Sequence, residues 1–139
     1  MILLTPKLQN EMARYGERAF PSECCGALWG EVKNDLRIVR QIRPLENVYE
    51  GGRQNRFQID THEIYQILKE ERRSDQRLLG FYHSHPNHPA TPSEEDRYWA
   101  FPWYSYIIIS ILDGRSAALQ SWILKDDQSG FEPEPISAE

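Results

Sequence analysis

Two histidines one residue apart, His83 and His85, lie a short loop ahead of Ser93 and Asp96 in the stretch GFYHSHPNHPATPSEED, which runs from Gly80 to Asp96. Two neutral imidazoles and one carboxylate, with a fourth position left to water, make a catalytic zinc site; a structural site is more often closed by four protein ligands that include thiolates. That chemistry requires the two imidazoles to face the same way and Asp96 to return to them across the loop. Leu78-Leu79-Gly80-Phe81-Tyr82, just ahead, is apolar and aromatic, as a buried strand is. Residues i and i+2 of a strand share a face, so His83 and His85 project side by side while Ser84 points away. Pro86 has no N–H and ends the ladder. Ser93 has the side chain of an N-cap, and Glu94, Glu95 and Asp96 fall in the first helical turn, where acidic groups suit the helix dipole. Each residue alone has an ordinary explanation, a polar strand end or a capped helix. Capping, however, does not call for paired histidines on the preceding strand.

The elements that position this stretch follow in chain order. Thr5-Pro6 reads as an N-cap with proline at the first helical position, and Leu8, Met12 and Tyr15 recur at helical spacing. Gly16 or the Phe20-Pro21 step is expected to end that helix. From Cys24 to Gly30 the chain reads as a buried strand, with Glu23 at its entrance; Gly26 in mid-strand suggests a bulge or a close backbone approach. Leu36 to Ile42 alternates apolar and polar, a half-exposed strand joined to the first by a hairpin near Lys33-Asn34-Asp35. Pro44 to Asn55 reads as a long surface loop and Arg56-Phe57-Gln58-Ile59 as a short strand. Asp60-Thr61-His62-Glu63 has the form of a capping box opening a helix that runs towards Arg72-Arg73. Tyr104 to Leu112 is a strong central strand, and Asp113-Gly114 a tight turn into Ala117–Leu124. The acidic tail from about residue 125 is expected to add an edge strand or to stay mobile. Helix, strands, helix, strand, short helix and hairpin make an α/β domain with a mixed sheet flanked by helices.

A chain of 139 residues, 40% hydrophobic and 27% charged, fits one globular domain over residues 1–139. No apolar run approaches membrane-spanning length. Met1-Ile2-Leu3-Leu4-Thr5-Pro6 lacks the basic region and long apolar core of a signal peptide, so a cytoplasmic location is the default. The net charge of −5 disfavours nucleic acid as the main partner. Cys24 and Cys25 are adjacent and do not make a normal structural disulfide; reduced, buried thiols are expected.

With its strand–loop–helix context, the Gly80–Asp96 stretch resembles the JAMM (MPN-type) zinc metallopeptidases. Their signature is His-Ser/Thr-His-Pro, six residues, Ser, two residues, Asp, with a glutamate well upstream. Here it reads His83-Ser84-His85-Pro86, six residues, Ser93, Glu94-Glu95, Asp96, without departure in spacing. The resemblance extends from Pro21 to about Trp122 and implies a single JAMM/MPN-like domain with a mixed, mostly antiparallel sheet, loosely similar to the cytidine-deaminase architecture. It implies one zinc ion per chain, held by His83, His85 and Asp96. Glu23 alone reads as a surface glutamate; the resemblance makes it the general base, in a Pro-x-Glu context at the start of the first strand. Ser93 becomes a donor to the tetrahedral oxyanion. Ser84 and His88 are further candidates for touching substrate, although His88 by itself is a solvated loop histidine.

Asn55-Arg56-Phe57-Gln58-Ile59-Asp60, followed by a helix and GFYHSHP, is similar to the small prokaryotic members. Several of those process ubiquitin-like sulfur carrier proteins after the terminal Gly-Gly. The implied activity is hydrolysis of a peptide or isopeptide bond behind such a tail, with a ubiquitin-like or sulfur carrier protein as partner. A non-catalytic MPN scaffold is opposed by the intact Glu23, His83, His85, Ser93 and Asp96. A DNA-repair-associated relative is opposed by Ser84, Asn87 and the short acidic chain. A zinc deaminase would need His-x-Glu and a later Pro-Cys-x-x-Cys, which are missing.

Overall fold

The Thr5 hydroxyl accepts a hydrogen bond from the Leu8 N–H and Pro6 takes the first helical position, so α1 (Pro6–Ala19) begins at its sequence signal. Gly16 lies inside the helix, and Phe20 caps its end. The computed structural model describes residues 1–54 and 56–139. A short strand, β1 (Ile2–Leu3), precedes α1, and β2 (Cys25–Lys33) and β3 (Leu36–Leu45) follow it as a hairpin. The hairpin turns on Asn34 and Asp35, both at positive φ, as a primed turn requires. Then come α2 (Thr61–Arg73), β4 (Arg77–Pro86), α3 (Glu94–Trp99), β5 (Ser105–Leu112), β6 (Arg115–Leu124), β7 (Phe131–Glu134) and β8 (Ile136–Ser137).

Among the described residues, eight strands form one mixed sheet in the order β7-β6-β5-β4-β2-β3-β1-β8. The β2–β3, β2–β4, β5–β6 and β6–β7 pairs are antiparallel, and β4–β5, β1–β3 and β1–β8 are parallel. The tail is therefore ordered strand. It does more than extend one edge, because β7 and β8 stand at opposite edges with only Pro135 between them, so the sheet must curl until its edges approach.

The core has two sides. Leu8 and Met12 of α1 pack with Leu28, Val39, Leu79, Tyr82 and Ile107, Ile109 and Ile111 of β5 on one face. Ile67 of α2 packs with Ala27, Trp29 and Leu78 on the other. Tyr82 lies over Gly26: a Cβ there would stand 2.2 Å from its ring. The constraint at Gly26 is thus a neighbouring side chain, where the sequence suggested a backbone or a bulge. Among the described residues, no helix is long and apolar enough to cross a membrane.

Two local expectations are corrected. Arg56 to Ile59 is not a strand, and Asn55 lies outside the described residues. The Arg56 carbonyl and Gln58 N–H that a partner strand would satisfy are instead bonded by the side chain of Asn47. At α2, Asp60 caps by accepting from the His62 N–H, without the reciprocal Glu63 arm of a capping box.

β4 and β5 approach closely at Gly80, where a Cβ would meet the Ser105 carbonyl oxygen at 1.8 Å. Gly80→Ala is therefore expected to destabilise the protein by about 3 kcal/mol or more. Thermal unfolding should show a midpoint lowered by about 10 °C; an unchanged midpoint would contradict this account of the β4–β5 contact.

Candidate metal centre

β4 carries His83 and His85 at its C-terminal end, pairing with β2 at Cys25↔His83 and with β5 at His83↔Ile108 and His85↔Ser110. A strand bonded on both sides has no freedom to slip, so the two imidazoles are fixed on the face away from α1. Their Nε2 atoms are 3.1 Å apart. Asp96 reaches both, with Oδ1 3.2 Å from His83 Nε2 and Oδ2 3.1 Å from His85 Nε2.

The same aspartate also caps its own helix. The Ser93 N–H donates to Asp96 Oδ2 at 2.9 Å, and the Asp96 N–H donates to Ser93 Oγ at 3.1 Å, a reciprocal capping box. Sequence spacing had put Ser93 at the cap; the return arm from Asp96 is what aims its carboxylate at β4. Burial acts to raise the Asp96 carboxyl, but the His83 charge and hydrogen bonds from both imidazoles and the Ser93 N–H outweigh it and hold it well below the usual carboxylate range.

The donor set suits zinc. Ligands at about 2.0–2.1 Å in a tetrahedron stand about 3.3 Å from one another, close to the 3.1–3.2 Å separations here. His85 Nδ1 faces the Pro89 carbonyl at 3.0 Å, a contact that places the ring proton there and leaves Nε2 as the lone-pair donor. For His85, burial opposes the charged form, yet the Asp96 hydrogen bond and charge prevail and raise its pKa.

A second carboxylate is close. Glu23, 4% exposed, offers an oxygen that lies with the His83 and His85 nitrogens in a group spanning no more than 4.8 Å. Asp96 faces both imidazoles at hydrogen-bond distance, and Glu23 stands beside them in the same group. Burial pushes the Glu23 carboxyl up to about 8, with His85 opposing and Asp96 reinforcing the shift.

These groups open on a cleft of about 350 Å³ bordered by Glu23, His85, His88, Pro92 and Ser93. His88 is exposed at its rim. Ser84 does not belong there. It is fully buried on the α1 side of β4, and its Oγ accepts from the Cys24 N–H at 2.8 Å. Cys24 and Cys25 are free thiols, Cys25 buried with its pKa raised to about 12 chiefly by burial. Two neighbours of the site were not read from the sequence: Phe57, whose ring stacks on His83 at 4.6 Å, and Asn47, whose side chain bonds the Glu23 carbonyl. Both come from the β3–α2 connection; no periodicity marks Asn47, and Phe57 falls in the Asn55–Asp60 run without any sign of a place at the site.

A family model for prokaryotic homologs of the JAB domain matches residues 5–125. A desampylase from Haloferax volcanii is 38% identical over 99 residues, covering 70% of this chain and 68% of that protein. Among solved structures, a protein from Desulfitobacterium hafniense superposes with a TM-score of 0.82 at 37% identity, over 98% of this chain and 91% of the other. A JAB1/MPN domain protein from Archaeoglobus fulgidus shares the fold, with a TM-score of 0.62 at 18% identity over 99% of this chain and 97% of that one.

Asp96→Ala is expected to weaken zinc binding by more than the ~10–100-fold that loss of an outer partner costs; wild-type affinity in a chelator competition would remove Asp96 from the ligand set. Glu23 also makes metal-free stability depend on pH. Its folded pKa is raised from 4.5 to about 8, so its contribution is full below the unfolded value and is lost as pH rises through about 8. Chelator-treated wild type should therefore lose more stability between pH 5 and pH 9, by urea unfolding, than Glu23→Gln does. Equal losses would contradict the buried, protonated Glu23.

Proposed function

This chain belongs to the family of prokaryotic JAB-domain homologues, and we propose that it is a zinc-dependent peptidase that hydrolyses the peptide or isopeptide bond after the C-terminal Gly-Gly of a ubiquitin-like or sulfur carrier protein. The observation that carries the reading is the convergence of His83, His85 and Asp96 beside a buried, separate carboxylate, Glu23, at the floor of an open cleft. The relative named a desampylase supports the substrate class, since that name denotes removal of an attached protein modifier.

Zinc would be held by His83, His85 and Asp96, and when bound would supply Lewis acidity and lower the proton affinity of a water towards neutral pH. The chain's own groups do the rest. Glu23, ionised beside the bound cation, accepts a proton from the attacking water and returns it to the leaving amine. Ser93 Oγ accepts from the Asp96 N–H, which leaves its own O–H free to donate towards the cleft, where an oxyanion develops. Phe57 covers one face of His83 and keeps water from it. The proline-bearing wall at Pro89 and Pro92 presents no backbone N–H at those positions, so an extended tail is held by shape and by the neighbouring residues of the loop.

The test is intact-mass analysis of a small sulfur carrier protein extended beyond its Gly-Gly, incubated with the zinc-loaded chain. Loss of the extension, abolished by chelator, is expected. Glu23→Gln should retain one zinc and lower kcat by about 10²–10⁴, and Ser93→Ala should lower kcat with zinc retained. Turnover undiminished in Glu23→Gln would remove Glu23 from the base role. Zinc binding without cleavage of either linear or isopeptide-linked substrates would support a scaffold in place of an enzyme.

A further inference from the structure

Glu23 stands just outside the sheet. β2 begins at Cys25, and the pairing with β4 reaches back only as far as Cys24, whose carbonyl accepts from the Ser84 N–H at 3.1 Å. A buried residue beyond the end of a ladder must find other partners for its main chain. Both of Glu23's partners come from the β3–α2 connection: its N–H donates to the Arg53 carbonyl at 2.6 Å, and its carbonyl accepts from Asn47 Nδ2 at 3.0 Å.

Asn47 does more than hold that carbonyl. Its Nδ2 also donates to the Arg56 carbonyl at 3.1 Å, and its Oδ1 accepts from the N–H groups of Tyr49 and Gln58, each at 3.1 Å. One carboxamide thus fills its two donor and two acceptor positions with four backbone groups. Three of them belong to the connection, two of these (Arg56 and Gln58) flanking Phe57, and the fourth is Glu23. Phe57 in turn stacks on His83. The connection is further fastened by Arg53 Nε to the Tyr49 carbonyl at 2.7 Å, and to α3 by an Arg56–Glu95 ion pair at 3.7 Å.

We propose that Asn47 is a positioning residue for hydrolysis: through its carboxamide it sets the distance between the Glu23 carboxylate and the His83–His85 pair, and it holds Phe57 over His83. This deepens the peptidase reading and rests on it. Asn47 touches neither substrate nor metal. Its effect comes through Glu23, whose carboxylate follows its backbone, and through the ring that keeps His83 dry. A misplacement of the order of 1 Å at a reacting group costs about a hundredfold in rate.

Asn47→Asp separates the two halves of the carboxamide. It keeps an oxygen for the Tyr49 and Gln58 N–H groups and puts a second oxygen against the Glu23 and Arg56 carbonyls. Asn47→Ala removes all four bonds. The experiment measures zinc affinity by chelator competition, amide hydrogen exchange, and kcat and KM on the extended carrier protein. In Asn47→Asp, repulsion at the Glu23 carbonyl tilts the Glu23–Cys24 peptide, so faster exchange at the Cys24 amide, which is bonded to Ser84 Oγ, is expected with protection kept at Gln58. With it should come zinc affinity within about threefold of wild type and kcat lowered about a hundredfold at little-changed KM. Asn47→Ala should lose protection at Tyr49 and Gln58 together as well.

A lowered thermal midpoint with wild-type kcat would make Asn47 merely structural and overturn the proposal. So would unchanged Cys24 exchange in Asn47→Asp, and that readout decides the matter even if the wild-type protein cleaves no carrier. Failure of the peptidase reading is seen separately, as absence of turnover in the wild type. If Asn47→Ala does not fold, Asn47→Asp alone carries the test.

Discussion

The Asp96 carboxylate must serve three partners at once, and the site depends on its doing so. Its Oδ2 takes the Ser93 N–H and faces His85 Nε2, while Oδ1 faces His83 Nε2. A helix of six residues has little stability of its own. Its capping box therefore does two things with one side chain, starting the helix and delivering the carboxylate to the strand. The imidazoles it meets cannot move away, because β4 is bonded to β2 on one side and β5 on the other. Close approach at Gly80 keeps those two strands in contact below the site.

Electrostatics then divides the two carboxylates. Asp96, between two imidazoles and a backbone N–H, is held ionised. Glu23, buried with fewer compensating partners and with Asp96 nearby, has its proton affinity raised. Titratable groups whose environments push them apart are suited to different tasks, one to hold a cation and one to carry a proton. The two carboxylates are chemically alike, and it is their surroundings that set their proton affinities apart.

Most of this was legible in the sequence where local rules govern. The i, i+2 histidines, the strand ended by Pro86 and the Ser93 cap are consequences of periodicity and capping, and they appear in the structure at the expected residues. The order of the tail was half legible, since nothing local says that β7 and β8 occupy opposite edges of one sheet. The β3–α2 connection was misread. Its backbone groups are satisfied by one asparagine side chain in place of a ladder, and a side chain's long-range partners leave no periodic trace. For the same reason Asn47 and Phe57 were missed beside the site, while Ser84, legible as pointing away from the histidines, was nonetheless carried as a substrate contact that its burial excludes.

The most direct test of the central claim is X-ray absorption at the zinc edge of the zinc-loaded protein. The expected result is a shell of nitrogen and oxygen atoms at about 2.0–2.1 Å with the scattering pattern of imidazole and no sulfur. A sulfur shell near about 2.3 Å would place Cys24 or Cys25 on the metal and contradict the convergence of His83, His85 and Asp96 as the site.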